Sequence, residues 1–288
     1  MGRDPAGKDD AVRRHGREQV LQLLTAQVAA RRSLLAVGAA SGQVARCAEQ
    51  AGADLLIVYN AGYFRLNGLP SLVGHLPVGD ANAIMLDLGR RSVIPATREV
   101  PVIGGAYGVD PTRDPRDLLA AMQEAGFSGV INFPSVGRLD GRFRQELEAA
   151  GLGFEREVEL IRLARAQGLF TLAFVFDAEQ AERMAHAGVD ALVGHVGLTA
   201  GGDAGSAAVI GMKAAISRLR EIFAAGRSVR ADILMLSHGG PIVTPEDVRV
   251  VNERTGAVGF VAASSIERIP VETAITQACG RFKTLSVG

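Results

Sequence analysis

Tryptophan is absent from the 288 residues, cysteine occurs twice, and lysine occurs only at Lys8, Lys213 and Lys283. Each scarcity removes a class of function. None of the lysines ends an apolar strand-like run, so a Schiff-base aldolase is not expected. Cys47 and Cys279 fall in stretches with helical spacing, without a CxxC pair or a histidine at ligand spacing. They read as packing residues in a reducing compartment, and neither a disulfide, structural zinc nor a cysteine nucleophile is expected. Net charge is lacking too: 31 basic residues balance 31 acidic ones, so no global field draws in nucleic acid or an anionic membrane surface. No run approaches the ~20 apolar residues of a bilayer span. The opening stretch MGRDPAGKDDAVRRHGREQ has no apolar signal region, which points to a cytoplasmic protein. Neither a GxSxG elbow nor an HExxH pair occurs.

What the chain does contain is a repeated unit. Short runs rich in Val, Ile, Leu and Ala recur eight times, at 33–40, 54–60, 100–106, 128–133, 170–176, 190–196, 232–238 and 258–264. Amphipathic segments such as DLLAAMQEAG and EVELIRLARAQG separate most of them, several closing on a glycine. Strands without polar alternation need both faces buried, as in a parallel sheet. Eight strand-helix units in about 250 residues predict an α/β fold, a (β/α)8 TIM barrel, whose bottom is closed by a capping helix from the 16–30 stretch. An open doubly wound sheet is the alternative, and no GxGxxG follows the first run to favour it. Residues 1–15 are expected to be a disordered tail and 16–288 a single domain. The long segments 61–82, 134–153 and 197–207 are expected to lie over the C-terminal rim as lids.

Barrel chemistry sits at the C-terminal ends of the strands. There the sequence offers Ser41 and Gly42; Tyr59, Asn60 and Arg65; Tyr107 and Asp110; Asn132; Asp177; His195; His238, Gly239 and Gly240; and Ser264, Ser265, Glu267 and Arg268. Two of only five histidines fall at the ends of neighbouring strands. His195, His238 and Glu267 are therefore candidates for general acid or base, with Asn60 and Asn132 as donors to a developing oxyanion. Arg65 or Arg268 would pair with a carboxylate, and Ser41 and Gly42 complete the substrate-binding rim. LSHGGPIVTPEDV and GFVAASSIERIP both break from a strand into small residues before a helix. Their tips, Gly239 with Gly240 and Ser264 with Ser265, are expected to grip a phosphate or similar anion. Asp110, Asp177 and the two histidines could instead hold a divalent metal.

At these residues the sequence resembles a known family. YNAGYFR, GDANAI, GVDPTRD, GFSGVINFPSVGRLDGRFR, LVGHVGLTAGG, SHGGPIVTPED and GFVAASSIERIPVETAIT are similar to the phosphoenolpyruvate hydrolase-like family of TIM barrels, and to the barrel half of a plant antiviral resistance protein. The resemblance covers about residues 16–285. It implies hydrolysis of a small three-carbon phosphonate or phosphate, phosphonopyruvate or phosphoenolpyruvate, to pyruvate and phosphate. A divalent cation such as Mg and a homo-oligomer are implied with it. The related phosphoenolpyruvate mutase superfamily carries magnesium-binding carboxylates at strand ends, where this chain reads VYNAG and GGAYG. A noncatalytic barrel that binds a phosphorylated metabolite is the second expectation.

Overall fold

The computed structural model describes residues 15–202 and 209–287. Eight strands, β1 (Leu34–Gly38), β2 (Leu55–Val58), β3 (Val102–Ala106), β4 (Gly129–Asn132), β5 (Phe170–Val175), β6 (Ala191–His195), β7 (Leu234–His238) and β8 (Gly259–Ala262), form a closed barrel in sequence order. Every neighbouring pair is parallel, and β1 pairs with β8 to close the ring. Closure excludes the doubly wound sheet. The expected tail lies outside the described residues, apart from His15.

Helices α1 (Arg17–Ala29), α2 (Gly42–Gln50), α3 (Asn60–Leu66), α4 (Ala81–Leu88), α5 (Pro115–Ala125) and α6 (Gly141–Ala149) belong to the first half of the chain. They are followed by α7 (Glu155–Ala166), α8 (Ala178–His186), α9 (Met212–Val229), α10 (Pro245–Thr255), α11 (Ser264–Glu267) and α12 (Ile269–Lys283). None of the described helices is long and apolar enough to cross a membrane. Gly126 and Gly256 end α5 and α10 in the left-handed region, at φ 98° and 71°, where a side chain would strain the turn into the next strand.

The period of two along each strand divides the core. Leu55, Ile57, Leu172, Phe174, Ala191, Val193, Leu234 and Leu236 fill the barrel interior, and Val20 and Leu24 of α1 join them from below. The alternate residues, including Leu56, Val130, Ala173, Leu192 and Met235, pack outward under the helices. That parity decides what each strand can present at the top. His195 continues the inward set of β6 and His238 that of β7, and the two are register partners. Asn132 falls on the outward set of β4 with Val130.

The long connections gather over the C-terminal rim. Chain after β2 forms α3 and then a 3-10 turn, Ser71–His75, whereas α6 follows β4. The 203–207 part of the third expected lid lies outside the described residues.

Candidate functional site

A cavity of about 340 Å³ opens at the C-terminal mouth of the barrel. Its floor is aromatic: Tyr59, Phe133 and Phe174 follow one another, with ring centroids 4.6 and 6.1 Å apart. His195 and His238 stand on this floor, their centroids 4.7 Å apart and their planes at 67°. The roof is the 70–75 segment, which contributes Ser71, Leu72 and His75.

The backbone gives the two strand-end histidines opposite tautomers. His238 Nδ1 lies 2.7 Å from the Val261 carbonyl. A carbonyl only accepts, so Nδ1 carries the proton and the neutral ring keeps its lone pair at Nε2. His195 Nδ1 instead accepts the Gly197 N–H at 3.1 Å, which puts its proton on Nε2. Among the described residues neither Nε2 has a protein partner, and both rings line the cavity. Burial takes His238 down to about 4 against the opposing hydrogen bond to Val261. Burial, then His238 and Arg138, hold His195 well below the ordinary imidazole range. His75 falls to about 4 through burial and then Arg138. All three imidazoles are thus neutral at pH 7, and one cavity holds an acceptor nitrogen beside a donor nitrogen.

Three arginines reach the cavity, and their pairing differs. Arg65 is buried against Glu267, whose Oε2 accepts from its Nε at 2.7 Å and also from Nη2. The Arg65 guanidinium also lies 5.2 Å over the Tyr59 ring. Glu267 Oε1 meanwhile accepts the Ala40 N–H at 2.6 Å, so this carboxylate is fully engaged and joins β8 to β1. Arg268 donates to Glu272 and, at 2.8 Å, to the Gly201 carbonyl. Arg138 has neither an ion pair nor a side-chain hydrogen bond among the described residues, and burial lowers its pKa. An unpaired, half-buried guanidinium is costly unless something anionic joins it.

Other expected residues have structural tasks. The Gly240 N–H donates to the Gly197 carbonyl at 3.0 Å, and a Cβ on Gly239 would stand 2.0 Å from that same oxygen. These glycines let the β6 and β7 loops touch and do not line the cavity, which corrects the expected grip at that tip. Ser264 does line it, 3.4 Å from Ser71 Oγ, whereas the Ser265 hydroxyl is buried without a partner. Ser41 caps α2 by accepting from Val44 N, and Gly42 packs so tightly on Ser92 that a Cβ would come within 2.7 Å of its carbonyl. Asn132 donates to Glu157 at 2.6 Å and accepts from Phe174 N at 2.7 Å, so its outward parity spends it on the frame. Asn60 donates to the Gly74 carbonyl at 3.0 Å and faces a neighbouring cavity.

Asp177 caps α8, and Asp110 pairs with Arg113 at 2.6 Å. Among the described residues no group of three His, Cys, Asp or Glu side chains is placed to hold a metal ion. His75 and Arg138 were not among the expected site residues, because both sit in loops that only tertiary folding brings over the mouth. GHLPVGD and SVGRLDG were legible as glycine-rich lid sequence, the one signal pointing to them. Glu157 was missed too: buried on α7, it ties Asn132, Ser135 Oγ (2.7 Å) and Val136 N (2.8 Å) together, and burial raises its pKa to about 7.

Comparison with known proteins adds ancestry to this geometry. Over 272 residues the chain is 40% identical to the ToMV resistance protein Tm-1(GCR237) of Solanum lycopersicum, covering 94% of this chain and 36% of that one. The ToMV susceptible protein tm-1(GCR26) of the same plant is 40% identical over 269 residues, 93% of this chain and 36% of its own length. The chain thus spans about a third of the length of these relatives. Among solved structures, a phosphoenolpyruvate phosphomutase from Streptomyces platensis subsp. rosaceus aligns with a TM-score of 0.61 at 17% identity, over 94% of this chain and 87% of the other. A phosphonopyruvate hydrolase in complex with oxalate and Mg++ gives 0.57 at 18%, over 92% and 87%. At such identities the likeness is one of fold. Residues 19–285 match the profile described as phosphoenolpyruvate hydrolase-like, which spans the whole barrel, and the chain belongs to that family.

Proposed function

We propose that the chain is a hydrolase of a small three-carbon phosphonate or phosphate, phosphonopyruvate or phosphoenolpyruvate, releasing pyruvate and phosphate from the mouth cavity. The observation that carries this reading is the pair of opposed histidine tautomers beside the unpaired Arg138. Arg138 supplies the charge for one anionic group, and the hydroxyls of Ser71 and Ser264 are at hand for its oxygens. His238 Nε2 takes a proton from the attacking water. His195 Nε2–H donates to the carbonyl oxygen as it gains enolate charge, a bond that strengthens in the transition state. With phosphonopyruvate, the water oxygen joins phosphorus, the P–C bond breaks, and the proton on His238 is delivered to the released carbon. The family and the fold neighbours named above support this substrate class.

The cofactor expectation fares differently. Magnesium takes oxygen ligands, typically carboxylates and water. Glu267, a carboxylate beside this chemistry, is spent on Arg65 and Ala40, and the cavity otherwise presents imidazoles, guanidiniums and neutral hydroxyls with no further carboxylate. These residues do not fit a magnesium ion, and no step above passes through one. Turnover is therefore expected to be unchanged by EDTA.

A noncatalytic phosphometabolite-binding barrel is the second reading, favoured by that same engaged carboxylate. A coupled pyruvate assay beside a thermal-shift series of the two substrates separates them. Pyruvate release supports the hydrolase; stabilisation without pyruvate supports the binding barrel, because a ligand that prefers the folded state raises Tm whether or not it reacts. Self-association belongs to the same proposal. None of the fifteen residues of α12 is buried, and Ile275 and Phe282 are 59% and 75% exposed, apolar surface that a second copy would cover.

A further inference from the structure

A second cavity, of about 430 Å³, adjoins the first over the ends of β2, β3 and β4. The two share one lining residue, His75, which stands as the partition between them. Their electrostatics are opposed. The first has the unpaired Arg138. The second is lined by Asp80, Asp110 and Arg113, two carboxylates against one guanidinium, so its wall is net negative by one charge. Hydrogen bonds from Thr112, Arg113 and Asn82 outweigh burial and hold Asp110 at about 2, and Arg113 also lowers Asp80, so both stay ionised at neutral pH.

The partition also carries unsatisfied polar atoms. Asn60 is 3% exposed and its Nδ2 is committed to the Gly74 carbonyl, which identifies Oδ1 as the other atom, and Oδ1 has no partner. His75 Nδ1 is likewise buried and unpartnered. An amide oxygen can only accept, so the group missing here is a hydrogen-bond donor, which an ammonium supplies together with charge. Asn60 and Gly74 both line the cavity, and Oδ1 lies so close to Gly74 that a Cβ there would stand 3.2 Å from it. Opposite these groups the wall is apolar, formed by Leu139, Leu147 and Phe143 of the β4 loop and α6, with Phe143 61% exposed.

We infer that this cavity is a binding site for a small amphipathic amine, its ammonium at Asn60 and the Asp80–Asp110 edge and its apolar body against Phe143. The site goes beyond the three-carbon reading and stands independently of it, since His75 alone touches both cavities. An ammonium supplies the donor that Asn60 lacks and the charge that the carboxylate excess calls for, and an apolar body covers the exposed ring. The anion of the first cavity and this cation would then flank His75 from opposite sides.

The test is calorimetric titration of the full chain with 2-phenylethylamine, 2-phenylethanol and 3-phenylpropionate at pH 7.5. The amine is expected to bind saturably and at least tenfold tighter than the alcohol or the carboxylate. Phe143→Ser, which alters a largely exposed side chain and leaves the frame intact, is expected to weaken it about tenfold. Asp80→Asn, which still caps α4, is expected to weaken it severalfold, and Arg138→Gln to leave it unchanged. Equal or tighter binding of the carboxylate, indifference to Phe143→Ser, or displacement of the amine by phosphate would each overturn the assignment. None of those outcomes bears on whether pyruvate is released in the first cavity.

Discussion

His195 and His238 stand at the same height on neighbouring strands, and one backbone hydrogen bond apiece sets them in opposite tautomers. His238→Ala is expected to lower turnover by a factor of about 10² to 10⁴, the usual range for a lost acid or base, in the coupled pyruvate assay. Both rings are held neutral well below the ordinary range, His238 to about 4, so activity should stay flat from pH 8 to 6 and decline only toward that value. A limb near 6.5 would show that these rings are not the titrating groups. Arg138 makes a sharper prediction, because its charge has no partner among the described residues. Arg138→Gln should weaken phosphate or substrate binding at least tenfold while raising Tm, since removing an uncompensated half-buried charge relieves the empty protein. A loss of both would assign Arg138 to the frame. The histidines were legible as strand-end residues. Arg138 was not, because nothing local distinguishes it from the other arginines of the chain; what distinguishes it is burial with no partner among the described residues, a property of the folded surroundings.

At the level of elements, the β6 and β7 loops are held together where their backbones meet. Gly239 has φ 79° and no room for a methyl group against the Gly197 carbonyl, so Gly239→Ala should cost at least ~1–3 kcal/mol in denaturant unfolding. The anion-grip reading of that tip failed for the same reason: glycine permits close approach by a ligand or by another strand's loop, and local sequence does not say which. Parity explains Asn132 in the same way. Counting from Val130 puts it outward, yet a strand buried at all four positions gives no clue to which face is which. Helix α12 is the reverse case, an element without a buried face. If a second copy covers it, the wild-type chain should sediment above its 30.2 kDa, and Ile275→Asp with Phe282→Asp should return it to a monomer without unfolding the barrel.

For the molecule as a whole, the buried titratable groups set a pH dependence whose sign can be worked out. Histidines 75, 195 and 238 have folded-state values below the ordinary 6.5, so their contribution is present above 6.5 and lost as pH falls. Glu157 is the opposite case, raised from 4.5 to about 7, so its contribution is present below 4.5 and lost as pH rises through about 7. From about 5 to 6, unfolding therefore takes up three protons at the histidines and releases one at Glu157, a net two. Glu157→Gln should steepen the rise of stability with pH across that window, toward three protons; an unchanged slope would mean that Glu157 is ionised in the fold. The barrel itself was determined by the sequence alone, because eight apolar runs alternating with amphipathic segments are local patterns whose burial has one economical solution. The two strand-end histidines were determined with it, since a strand end is a local feature. Only the tertiary structure decided which polar side chains face the cavity, which carboxylates are spent on arginines, and that His75 and Arg138 come over the mouth. Those outcomes depend on strand parity and on contacts between residues far apart in the chain, such as Arg65 with Glu267 and Gly197 with Gly239, and a contact of that kind leaves no periodic trace in the sequence that makes it.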